Sequence, residues 1–220
     1  ALTVVYVVRK LEFDYSFDPE FVRPDPWHDS NFYEASAWQW MYSVHHDFKG
    51  LIERCGGKEE FVCRLDRFFD EGHYHSKETM LHIPYLYIYA GIPEKTFERV
   101  RECLTKYYRN TRNGISDNED MGCQSAFFMC SSMGIYPIMG QDLYVLTAPI
   151  FDRITLQMGK GGKQLEIKAK RRGLEDKYIV AACLNGEVLD RAWIRHEEIA
   201  NGGILEFTLD EKPNGWGNGA

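Results

Sequence analysis

Near Pro137 the apolar residues change their repeat, and no other feature constrains the fold of this chain so strongly. Before that point they recur at helical spacing. Phe61, Leu65, Phe68 and Phe69 fall at i, i+4, i+7 and i+8; Ile83, Leu86, Tyr87 and Ala90 repeat the device, and so do Phe97, Val100, Leu104, Tyr107 and Tyr108. After it, short β-branched runs follow one another: Leu143–Thr147, Arg153–Met158, Leu165–Lys170, Tyr178–Cys183 and Ile204–Leu209. Gly159–Gly162 and Asn185-Gly186 read as hairpin turns between them. The reading is an α+β chain: paired antiparallel helices, then a small antiparallel β-sheet region.

Punctuation sharpens this. Asp47 is placed to cap a helix over Phe48–Arg54 that Gly56-Gly57 ends, and Pro93 sits at the first position of the next long helix. Glu34–Val44 reads as a helix, and Gly122–Met133, apolar nearly all round, as a buried one stopped by Gly134. Upstream, Thr3–Val8 reads as a strand and Ser16–Asn31, with Pro19, Pro24 and Pro26, as a loop. The organisation expected is a lead-in over 1–31, a helical region over 32–137 and a β-rich region over 138–220.

Charge and cysteine narrow the function classes. Lys and Arg number 26 against 33 Asp and Glu, a net charge of −7, so a nucleic-acid partner is not expected. No apolar run reaches the roughly 18 residues of a membrane span. The six cysteines match no zinc or redox spacing, and five lie in apolar periodic segments, which favours free buried thiols. No P-loop, GxSxG or strand-linked GxGxxG is present. The compartment stays open.

Three clusters carry possible chemistry. Glu34, followed by Ala35, Ala37, Trp38 and Trp40, is a carboxylate in apolar company, suited to a general acid; the plainer reading is a carboxylate favouring a helix N-terminus. Asp117-Asn118-Glu119-Asp120 leads into the apolar helix; an ionised Asp there can activate water, or these residues simply cap the helix. His73, His75, Glu78 and His82 invite a metal, but the histidine intervals of i, i+2 and i+9 suit zinc poorly, and one Glu with neutral oxygens suits Ca²⁺ better; the alternative is a surface loop entering a helix.

In this order and with these separations, the clusters resemble glycoside hydrolase family 92, calcium-dependent exo-acting α-mannosidases. Glu34–Gln39 is similar to the family's E-G/A-x-x-W-Q. His45-His46-Asp47 with Gly50–Glu53 and Gly56-Gly57-Lys58 is similar to H-D-x-x-G-L-I-E and G-G-K. Lys77-Glu78-Thr79 with His82–Tyr87 resembles N-E-P and H-I-P-Y-L-Y. Asn118–Gly122 with Ser125-Ala126-Phe127 resembles N/D-D/E-D-x-G-x-x-S-A-W, and Met133–Pro137 and Tyr144–Asp152 resemble the segments that follow.

The resemblance implies an (α/α)6 toroid, of which this chain holds part, and a missing N-terminal β-sandwich domain as partner. It implies exo-α-mannosidase activity, α-1,2-directed, on mannose-containing glycans. Glu34 is then the acid that protonates the glycosidic oxygen, and Asp120 the base on water, with Asn118 or Glu119 assisting and contacting substrate. Glu78 and Gln39 become Ca²⁺ ligands, and Trp38 and His82 line the sugar pocket. Lys77 departs from the family's Asn, and an ammonium there opposes a bound cation. That departure keeps a second reading in view: a catalytically silent glycan-binding or interaction module, or an inactive fragment of a larger enzyme.

Overall fold

The computed structural model describes residues 37–71, 73, 75, 78–159 and 161–219. The expected strand at Thr3–Val8, the loop at Ser16–Asn31, and Glu34 and Lys77 lie outside them. Two compact units divide between residues 83 and 84, so the change of periodicity near Pro137 falls inside the second unit.

The first unit holds α1 (Ala37–Trp40), α2 (Phe48–Arg54) and α3 (Lys58–Glu71). Asp47 caps α2: its Oδ1 accepts from the Gly50 amide at 2.8 Å. Gly56 and Gly57, at φ of 96° and 99°, turn the chain after it. α3 buries Phe61, Val62, Leu65 and Phe68, leaving Phe69 half-buried. Tyr42 meets Phe61 and Phe68 edge-on at 6.1 and 5.4 Å.

In the second unit come α4 (Leu86–Tyr89), α5 (Pro93–Tyr107), α6 (Cys123–Met133) and α7 (His196–Ile199) with eight strands. Pro93 does open α5. β1 (Ile135–Pro137), β2 (Leu143–Leu146) and β7 (Trp193–Arg195) make one antiparallel sheet. The other runs in the order β3 (Arg153–Met158), β4 (Lys163–Lys170), β8 (Gly203–Asp210), β5 (Tyr178–Leu184), β6 (Glu187–Leu189). The strands expected after Pro137 are all present, with β1, β6 and β7 added. The antiparallel expectation holds for every ladder except β4–β8, which is parallel because β8 returns to lie between β4 and an antiparallel β5. On β8, Leu205, Phe207 and Leu209 face inward while Ile204, Glu206 and Thr208 alternate outward. Those inward residues share a core with Leu165, Ile167 and Ile194, and with Phe97 from α5. Trp216 stacks on Phe97 at 6.3 Å and donates to the Leu189 carbonyl at 2.7 Å.

Two burial expectations change. α6 buries Gln124, Phe127, Ser131 and Ser132 but exposes Ser125, Ala126 and Met129, so one of its faces is open among the described residues. All six cysteines are free, yet only Cys55 and Cys103 are buried, and Cys63 is exposed because it lies off the inner stripe of α3.

Gly202 enters β8 at φ +81°, and a Cβ there would collide with the Gln164 carbonyl oxygen. Gly202→Ala is expected to lower stability by more than about 2 kcal/mol, combining left-handed strain with a backbone clash. Gly159→Ala, at φ +64° with open space around it, should cost only about 1–2 kcal/mol. Urea midpoints of both variants test the ranking.

Candidate active site

The expected site residues fall in both units. In the first, α1 places Trp38, 1% exposed, edge-on to Phe68 at 5.9 Å. The Arg67 guanidinium lies 5.8 Å from the Trp38 ring centroid. Gln39, the next residue, is fully buried, whereas Glu78 is exposed. Both offer oxygen donors of the kind Ca²⁺ takes, but they supply only two of the six to eight oxygens that ion gathers.

His82 is a core histidine. It is 4% exposed, and its ring centroid lies 4.1 Å from that of His45 and 6.1 Å from that of Phe48. Burial, then the neighbouring His45 ring, push its pKa down to about 3. The ring is therefore neutral. Its Nε2 lies 2.9 Å from the Tyr42 carbonyl oxygen, which can only accept, so Nε2 carries the proton and Nδ1 is bare. That buried Nδ1 has no partner among the described residues. The one donor of His82 thus serves the backbone, and the ring is closed off from solvent among the described residues. His75, 1% exposed, is likewise pushed down to about 3 by burial.

The second unit carries Asn118, Glu119 and Asp120 on the loop between α5 and α6. Tyr108 leaves α5 in an extended conformation, and its hydroxyl donates to Gln124 Oε1 at 2.8 Å. Arg109 N donates to the Gly114 carbonyl at 2.8 Å, closing a tight excursion. Asn118 is exposed, and Glu119 and Asp120 are half-buried.

Then the backbone turns left-handed three times in succession: Asp120 at φ 47°, Met121 at 57° and Gly122 at 90°. For Asp and Met this costs on the order of 1–2 kcal/mol each. Met121 points wholly into solvent. Gly122 occupies the N-cap position of α6 and has no side chain to satisfy the first amides. Glu119 does so instead. Its Oε1 accepts from Ser125 N and its Oε2 from the Ser125 hydroxyl, both at 2.9 Å. Its carbonyl accepts from Gln124 N at 3.4 Å and from the Cys123 thiol at 3.4 Å. The Asp120 carbonyl takes Cys123 N at 3.2 Å.

Beside this turn lies a groove of about 610 Å³, lined in part by Tyr108, Arg109, Arg112, Ser125, Phe128 and Met129. In the sequence Ser125 stands out only as part of a motif, with no role attached, and Gln124 does not stand out at all. The signal that finds them is a glycine at the N-cap with an acid three residues before it.

Residues 7–211 match the family model described as the glycosyl hydrolase family 92 catalytic domain. An "uncharacterized secreted glycosidase" of Arthroderma benhamiae is 33% identical over 190 residues, 85% of this chain and 25% of that protein. Among solved structures, a family 92 α-mannosidase from Bacteroides thetaiotaomicron is 29% identical, with a TM-score of 0.80 over 85% of this chain and 26% of that one. A family 92 inverting mannosidase from Bacteroides thetaiotaomicron VPI-5482 is 32% identical, with a TM-score of 0.75 over 86% and 29%. The chain thus spans about a quarter of the length of these relatives.

The two neutral histidines make stability depend on pH. Their folded pKa values near 3 lie below the ordinary 6.5, so between those values the unfolded chain binds more protons. Stability is therefore full above about pH 6.5 and falls as pH drops toward 3, by up to about 1.4 kcal/mol per pH unit for each ring. Urea midpoints measured from pH 7 to 4 should fall, and His82→Gln should flatten the decline. A profile level across that window would contradict neutral burial.

Proposed function

Because the chain belongs to glycosyl hydrolase family 92, with residues 7–211 matching its catalytic domain, we propose that it forms part of an exo-α-mannosidase. Its substrates are mannose-rich glycans, its preference is α-1,2, and it inverts the anomeric carbon. The observation that carries this reading is Asp120 on a left-handed turn at the start of α6, where strain is held in place by hydrogen bonds. Strained backbone of this kind concentrates at functional sites.

In this mechanism Asp120 takes a proton from the attacking water while Glu34 gives one to the departing glycosidic oxygen. An inverting pair stands about 6.5–9.5 Å apart, leaving room for the water. Glu78 and Gln39 would hold Ca²⁺ together with carbonyl and water oxygens. When bound, that ion orients sugar hydroxyls and offsets charge developing in the transition state. The donor set fits Ca²⁺ in kind, although a single carboxylate makes for weak affinity. Lys77 beside Glu78 favours the second reading, a glycan-binding relative without turnover, because its charge opposes the cation.

Hydrolysis of α-mannosides, with and without a chelator, decides between these readings. Asp120→Asn should lower turnover about 10²–10⁴-fold on every substrate, since water activation is always required. Glu34→Gln should do so only where the leaving group is poor, and an equal loss on activated aryl mannosides would remove Glu34 from the acid role.

Calorimetry tests the metal separately. Ca²⁺ should bind the unmodified chain weakly, and Lys77→Asn should tighten it. Tight binding by the unmodified chain would show that the Lys77 ammonium points away from the ion.

A further inference from the structure

We infer that Glu119 is the positioning residue of Asp120: its carboxylate, held by Ser125, fixes the left-handed turn that carries the base. The inference rests on the role proposed above for Asp120.

Both carboxylate oxygens of Glu119 are engaged by one residue, through Ser125 N and the Ser125 hydroxyl at 2.9 Å each. The contact spans six residues and encloses the whole turn. Asp120, Met121 and Gly122 have φ of 47°, 57° and 90°, a run that a non-glycine chain does not hold by itself. Two further bonds tie the turn to the helix: Cys123 N to the Asp120 carbonyl at 3.2 Å and Ala126 N to the Gly122 carbonyl at 2.9 Å.

The helix end is anchored in turn. Tyr108 donates to Gln124 Oε1 at 2.8 Å and stacks on Phe127 at 5.9 Å, with the rings 14° apart. Since Gly122 brings no cap of its own, removing the Glu119 carboxylate frees the Ser125 amide and hydroxyl together. The turn can then relax to right-handed or extended backbone, which swings the Asp120 side chain. A displacement of about 1 Å at a reacting group can cost roughly 10²-fold in rate.

The test compares Glu119→Ala, Glu119→Gln and Ser125→Ala in the 220-residue chain. Amide hydrogen exchange is followed at Cys123 and Ala126, whose acceptors are the Asp120 and Gly122 carbonyls. Exchange there should quicken about tenfold or more in Glu119→Ala, and less in Glu119→Gln, which keeps an acceptor oxygen. Amides of the β4–β8 ladder should be unchanged, which separates loss of the turn from loss of the fold. On an aryl α-mannoside, Glu119→Ala should lower kcat about tenfold or more with KM within about twofold, and Glu119→Gln should recover much of it.

Unaltered exchange in Glu119→Ala overturns the inference. So does a raised KM at constant kcat, which would make Glu119 a substrate contact. An unmodified chain that cleaves no mannoside counts against the mannosidase reading alone, and the exchange comparison still decides the role of Glu119.

Discussion

Strand β8 pairs with β4 on one side and β5 on the other, so the centre of the five-stranded sheet is supplied by the strand formed last in sequence. Its inward residues, Leu205, Phe207 and Leu209, are each 3% exposed or less, and burial of that size contributes roughly 1.5–3 kcal/mol per side chain. The approach to β8 is through Gly202 and Gly203, at φ +81° and +139°, where any Cβ would meet Gln164 or Asn185. Two glycines therefore permit the parallel ladder, and the ladder permits the core.

From that core the order extends outward to the candidate base. Phe97 carries α5 onto the sheet, and Tyr178 reinforces it by donating to Glu98 at 2.6 Å. Tyr85 stacks on Tyr136 of β1 at 4.2 Å and lies 2.6 Å, oxygen to oxygen, from the Ser131 hydroxyl of α6. The helix that presents Asp120 is thus braced at its C-terminal half by buried rings. Its N-terminal end depends on a few hydrogen bonds from half-exposed groups. Rigid scaffold and adaptable turn meet within eleven residues.

Local chemistry was legible in the sequence wherever one residue decides its own neighbourhood. Asp47, Pro93 and Asn185-Gly186 each did what their types dictate, and the strands after Pro137 followed their alternation. Order across the sheet was not legible, because alternation says which way Leu205 faces and nothing about whether β4 lies beside it. The burial of α6 was overestimated, since small residues such as Ser125 and Ala126 fit an open face as well as a closed one. At the candidate site, residue types pointed to Asp120, whereas the bond between Glu119 and Ser125 crosses a left-handed turn and belongs to no helical or strand period. His82, given a sugar-pocket role only by the family resemblance, is a buried neutral ring inside the first unit, a setting that its residue type alone does not announce.

The Asn185-Gly186 turn has a bearing on how the protein ages. Asparagine before glycine is the sequence most open to spontaneous loss of the side-chain amide, because the glycine nitrogen can attack it and close a ring. Here Asn185 takes φ 54°, and its Oδ1 accepts from Ile204 N at 2.9 Å, while its backbone N–H donates to the Ile204 carbonyl at 2.8 Å. Ring closure must pull the side chain away from Ile204 and so detach the start of β8 from the end of β5. Chemical wear at this position is therefore gated by opening of the sheet's centre, and the same pairing that completes the core shields this side-chain amide.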